Sequence, residues 1–209
     1  MPPLRDLVEE PVALRGQAVR ILRPRDSEAL LDEDAFERDE FLPYWAELWP
    51  SALVLARAVA ARSLRGARTV ELGCGLGLVS IAAAIAGARV LATDWADDAL
   101  ALTAENAARN GVSIECRRCD WADPEPVLER APWDLVLASD VLYEHRNVEL
   151  IAELLLRLLD RGEAWIADPR RSTAAGFPER MAPELEVRTT TARAGGVTVA
   201  IHRLRRRRG

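Results

Sequence analysis

Four successive apolar runs of this chain each end at an aspartate: Asp94, Asp120, Asp140 and Asp168. Just upstream, Glu71 lies in another run, Thr69 to Leu72, which stops at three glycines spaced two apart, Gly73, Gly75 and Gly77. Carboxylates in such number attract cations and accept charge-assisted hydrogen bonds from hydroxyls and amines. Glycines at a strand end let the backbone turn sharply and approach a ligand that a Cβ would block. The expected ligand carries positive charge, amines and hydroxyls. A pyrophosphate would be repelled by this rim unless arginines neutralised it. The spacing agrees: a dinucleotide fingerprint places its third glycine five residues after the first, whereas Gly77 follows Gly73 by four. One strand-end aspartate alone is more often a cap or turn residue. Four in succession carry the inference.

The elements that must position these groups follow from the apolar pattern. Strands are predicted at 68–73, 89–94, 114–119, 134–140 and 163–168, and helices at 77–86, 97–109 and 147–160. Gly87, Asn110-Gly111 and Gly162 supply the helix stops. Alternation of this kind builds a doubly wound α/β sheet, parallel and covered on both faces, with its ligand beyond the carboxyl ends of the strands. The rhythm changes near the end. Glu184 to Ala192 and Val197 to Leu204, joined through Ala194-Gly195-Gly196, read as an antiparallel hairpin. Before the sheet, Pro50 and Ser51 suit the entry of a helix that continues to Arg62, preceded by the aromatic stretch Tyr44-Trp45 to Trp49. Core packing is the alternative use of Trp45 and Trp49. Residues 1–40 read as an N-terminal extension with a short strand at Gln17 to Leu22 and an acidic stretch at Ser27 to Glu40. Residues 41–209 read as a single domain.

Composition narrows the partners. A chain of 209 residues that is 49% hydrophobic suits one globular domain. It has no apolar run long enough for a membrane span and no leader pattern, and three cysteines make no disulfide framework. A cytoplasmic setting is expected. Net charge is −5 although Arg203 and Arg205 to Arg208 crowd the end, so the body is more acidic still. That argues against nucleic acid and suits a basic partner; a monomer is the default. Cys116 and Cys119 have zinc-like spacing but no second pair, and i and i+3 on a strand point to opposite faces. His145 is a candidate base with no orienting partner visible.

Taken together, Glu71-x-Gly73-x-Gly75-x-Gly77 resembles motif I of the class I, seven-β-strand S-adenosylmethionine-dependent methyltransferases. Asp140-x-x-Tyr143 resembles the Asp-x-x-Tyr motif of their protein-lysine branch, whose members modify chaperones, elongation factors and the β subunit of electron-transfer flavoprotein. Leu48 to Ala52 resembles the segment in which a tryptophan, here Trp49, packs on the cofactor. Ile166 to Arg171 resembles the Gly-Asp-Pro-Gly-Arg run of the flavoprotein-directed enzymes, with Arg170 where those have glycine. The resemblance spans about residues 42 to 204. It implies a Rossmann-like, mostly parallel seven-stranded sheet whose last strand inserts antiparallel, with S-adenosyl-L-methionine as cofactor. On this reading Asp94 takes the ribose hydroxyls, Asp120 and Trp121 take adenine, and Glu71 lies near the amino-acid end. Trp95 and Ser139 complete the cofactor site. Asp140 and Tyr143 hold the lysine of a protein substrate. Two rivals remain: a small-metabolite methyltransferase of the same fold, and an inactive partner module that keeps the glycine corner. The chain contains no lysine, so it cannot methylate a lysine of its own.

Overall fold

The computed structural model describes residues 6–27 and 44–207. The acidic stretch expected at Ser27 to Glu40 lies almost wholly outside them, as does the end of the Arg-rich tail. Strands β1 (Leu7–Leu14) and β2 (Gln17–Pro24) pair antiparallel as a hairpin. Strand β2 extends the short strand expected there, and β1 was not foreseen. The hairpin buries Val12, Val19 and Ile21 in the same core as helix α1 (Pro50–Ala60).

The main sheet holds β3 (Arg68–Leu72), β4 (Arg89–Asp94), β5 (Glu115–Arg118), β6 (Leu135–Ser139), β7 (Glu163–Asp168), β8 (Leu185–Ala194) and β9 (Val197–Arg206). Their spatial order is β5-β4-β3-β6-β7-β9-β8. Strands β3 to β7 run parallel, and β9 enters antiparallel to both β7 and β8. The order reverses beside β3, so the carboxyl ends of β3, β4 and β6 open a crevice at the switch point.

Side-chain alternation on β6 shows why the central strands read as continuous apolar runs. Leu135 and Leu137 pack with α1, α2 (Leu78–Ile85) and α3 (Asp97–Arg109) on one face. Val136 and Ala138 pack with α5 (His145–Leu158) on the other. Helix α5 offers Val148, Ile151, Ala152, Leu155 and Leu158 at spacings of three and four, an apolar stripe that seals that face. Two short helices, α4 (Glu125–Leu128) and α6 (Phe177–Met181), also cover it. Neither was predicted, since four or five residues show no periodicity. No helix among the described residues is long and apolar enough to cross a membrane.

Candidate active site

A cavity of about 590 Å³ lies over the carboxyl ends of β3, β4 and β6, within the size range of small-molecule and cofactor sites. Its floor is the turn between β3 and α2. Gly73, Gly75 and Gly77 all adopt positive φ, at 69°, 51° and 80°. A Cβ on Gly73 would lie 3.2 Å from both Trp121 and Val141, at the cavity wall. Gly77 differs from expectation. It does not line the cavity; it precedes α2, and a Cβ there would meet Thr103 at 2.7 Å. The approach to Thr103 is a packing reason for glycine at this position.

The turn is held from behind by two polar residues of α3. The Thr103 hydroxyl donates to the Gly75 carbonyl at 2.9 Å. The buried Asn106 amide donates to the carbonyls of Leu76 and Leu22, at 3.0 Å each, and accepts from Leu22 N–H at 2.7 Å. One side chain thus ties the N-terminal hairpin to the glycine turn. Sequence reading missed it, because an asparagine on a helix gives no sign of the remote strand it will serve.

Three carboxylates that line the cavity have distinct states. Asp94 is 5% exposed and accepts N–H bonds from Gly75 at 2.9 Å and Ala96 at 3.1 Å. Burial raises its pKa, and those backbone donors oppose the rise. Glu71 is buried at the end of β3 and accepts from the Ser80 hydroxyl at 2.5 Å. Desolvation pushes its carboxyl up to about 8, so it is largely neutral at pH 7. Asp120 is exposed on the rim and accepts from Ala122 N–H at 2.8 Å, beside the half-buried Trp121. Trp95 and Ser139 also line the cavity.

Asp168 is the one strand-end aspartate that does not line this cavity. Its carboxylate turns inward, 1% exposed, and Oδ1 accepts from Arg171 N–H at 2.8 Å. It shapes the turn after β7. Arg170 in that turn has φ 65°, the left-handed region that favours glycine, and it stands where the Gly-Asp-Pro-Gly-Arg run has glycine.

Asp140 follows β6 with φ 59° and is anchored by its own N–H to the Ala167 carbonyl at 2.9 Å. Its Oδ1 accepts from Arg171 Nε at 2.6 Å, and its Oδ2 from the Ser51 hydroxyl at 3.2 Å. The Arg171 guanidinium also lies 5.6 Å from the centre of the Trp49 ring. Trp49 is oriented by its indole N–H, which donates to the Tyr44 carbonyl at 2.7 Å. Tyr44 meets Tyr143 edge to face at 5.5 Å between ring centres. Burial raises the Tyr143 hydroxyl to about 12, with Glu144 adding to the shift, so it stays protonated at neutral pH. Tyr44, Ser51 and Arg171 were not picked out as site residues from sequence; the only signal was their place in the aromatic stretch, at the α1 entry and in the Asp-Pro-Arg-Arg run.

His145 opens α5, exposed, and does not line the cavity. No group of His, Cys, Asp and Glu among the described residues can hold a metal.

The strand order with its antiparallel β9, and a glycine turn facing acidic and indole side chains, define a class I methyltransferase fold. The lining fits S-adenosylmethionine: Asp94 and Asp120 suit hydroxyls and an amine, and the Trp121 indole lines the same cavity. Comparison with known proteins agrees. The sequence profile described as lysine methyltransferase matches residues 42–176, and the chain belongs to that family. It is 32% identical over 140 residues to a histone-arginine methyltransferase of Xenopus laevis, covering 62% of this chain and 59% of that protein. It is 31% identical over 144 residues to the electron transfer flavoprotein beta subunit lysine methyltransferase of Xenopus laevis, covering 65% and 56%. The matches thus span under two thirds of either relative's length. Among solved structures, magnesium protoporphyrin IX methyltransferase from Synechocystis PCC 6803 with bound S-adenosylmethionine shares the fold. Its TM-score is 0.59 at 23% identity, over 73% of this chain and 76% of that one.

Proposed function

We propose that this protein transfers the methyl group of S-adenosylmethionine to a lysine side chain of a protein. The observation that carries the reading is the cluster at one wall of the cofactor cavity. There the carboxylate of Asp140 and the rings of Trp49, Tyr44 and Tyr143 make surroundings that suit a cationic side chain. The family and the flavoprotein-directed relative support lysine as the acceptor. The acidic net charge suits a basic substrate surface.

The cofactor supplies, when bound, a methyl group activated on a positively charged sulfur. The chain's residues have the remaining work of binding and alignment. Asp94 takes the ribose hydroxyls, and Asp120 with Trp121 takes adenine. Asp140 collects the acceptor in its cationic form. Tyr143, protonated at neutral pH, offers a ring face and a neutral hydroxyl and does not serve as the base. The acceptor proton leaves to water at the open mouth, which gives the neutral amine that attacks.

The test is incubation with labelled cofactor and a host-like lysate, followed by mass spectrometry. Label on protein lysine is expected. Label on protein arginine or glutamine, or in the small-molecule fraction, would refute lysine as the acceptor. Strong thermal stabilisation by cofactor without any transfer would identify a binding module instead. Within the active enzyme, Tyr143→Phe should lower single-turnover transfer by about ten-fold, or about 1.4 kcal/mol, with cofactor affinity little changed. Wild-type transfer in that variant would remove Tyr143 from the acceptor site.

A further inference from the structure

We propose that Arg171 is a built-in pseudosubstrate: its guanidinium fills the acceptor subsite at rest and leaves only when another cation replaces it. The inference rests on the proposed function, since it takes Asp140 as the group that receives the acceptor.

The surroundings of the guanidinium are those a lysine head requires. Nε lies 2.6 Å from Asp140 Oδ1, and the indole of Trp49 stands 5.6 Å from Cζ. The remaining oxygen of Asp140 is engaged by Ser51. An incoming amine that takes the Oδ1 direction now held by Nε must displace Arg171, the one charged partner among these contacts of Asp140. The turn behind Arg171 is fixed, its N–H held by Asp168 and Arg170 set at φ 65°, so the side chain swings while the backbone stays. The Arg171 side chain is 34% exposed and has solvent to swing into, whereas that of Asp140 is 4% exposed and has none.

That asymmetry makes the exchange selective. Withdrawing Arg171 alone strands a buried carboxylate without its counter-ion, which is strongly unfavourable. A lysine or arginine cation that enters restores the pairing, charge for charge. A neutral acceptor does not. The subsite is thus closed by default and opened by cations, which selects basic protein side chains over uncharged metabolites.

The chain supplies an unusual test because it has no lysine. Counted from Cβ, lysine Nζ falls at the position of arginine Cζ, so Arg171→Lys places a primary amine in the subsite. If that site faces the methyl donor, the variant methylates itself. The sulfur–methyl bond breaks and an Nζ–methyl bond forms; the sulfonium becomes a neutral thioether, and the amine proton passes to water. The measurement is intact and peptide mass after incubation with S-adenosylmethionine alone. The expected result is a gain of one or more methyl groups at residue 171 in Arg171→Lys and none in the wild type. A folded, cofactor-binding Arg171→Lys that stays unmodified, beside a wild type that methylates lysine in lysate, would overturn this inference and leave the proposed function standing. Silence in both experiments overturns both. Methylation of wild-type Arg171 would make it a true substrate and refute the pseudosubstrate role. Arg171→Gln supplies a second measurement: calorimetry should find cofactor affinity within about two-fold of wild type. A ten-fold loss would assign the guanidinium to the cofactor's carboxylate and overturn the proposal.

Discussion

Replacing Asp94 by alanine tests the cofactor half of the site. The carboxylate accepts N–H bonds from Gly75 and Ala96, so the substitution leaves two backbone donors to find water or stay unpaired. Hydrogen bonds to a charged group are worth about 1.5–3 kcal/mol each. Part of that loss is offset, because Asp94 is 5% exposed and its raised pKa marks a cost of keeping the charged form buried. A net destabilisation of about 1–3 kcal/mol follows, or roughly 2–10 °C in Tm for a chain of this size. Cofactor affinity should fall further than stability explains. Loss of the charged acceptor for the ribose hydroxyls costs roughly 1.5–3 kcal/mol, a ten- to hundred-fold rise in Kd. Circular dichroism melts give the first quantity. Calorimetric titration with S-adenosylhomocysteine, well below the variant's Tm, gives the second. A folded Asp94→Ala protein with wild-type affinity would refute the assignment, whatever its stability.

Glu71→Gln should change stability in a pH-dependent way. The folded carboxyl titrates at about 8, above its ordinary 4.5, so between these values the unfolded chain releases a proton that the folded chain keeps. Wild-type stability contributed by this group therefore falls as pH rises through that window. The neutral amide removes the loss, and the variant's advantage should grow by at most about 1.4 kcal/mol per pH unit from pH 5 to 8. Melts showing the same difference at both ends would refute it. Gly77→Ala should cost about 2–4 kcal/mol, from a positive φ and the 2.7 Å approach to Thr103. Combining it with Thr103→Ala should cost less than the sum of the two singles in denaturant titrations, because the 2.7 Å and 2.8 Å contacts go with Cγ2 and Oγ1 and only the 3.1 Å approach to Cβ remains. Strict additivity would show that the backbone conformation accounts for the whole effect.

The apolar runs carried most of the fold. Strands buried on both faces need unbroken hydrophobic sequence, and the glycines and Asn110-Gly111 mark where each helix must stop, so the central strands and helices lie within a few residues of their predicted places. The glycine corner was legible for the same local reason: three positive-φ turns in a row leave few other residue choices. Strand β1 was not, because its alternation is weak and is interrupted by Pro11, and its burial depends on docking against α1. Among the strand-end aspartates, sequence placed Asp94, Asp120, Asp140 and Asp168 alike. Only tertiary structure separated them. Asp168 has a backbone N–H three residues on to bind, so it turns inward and closes a turn. Asp140 has no such donor within its own loop and takes partners from 31 and 89 residues away, Arg171 and Ser51. A strand-end position tells which rim a carboxylate occupies. What that carboxylate binds depends on the donors that distant segments bring within about 3 Å, and local pattern contains no information about those.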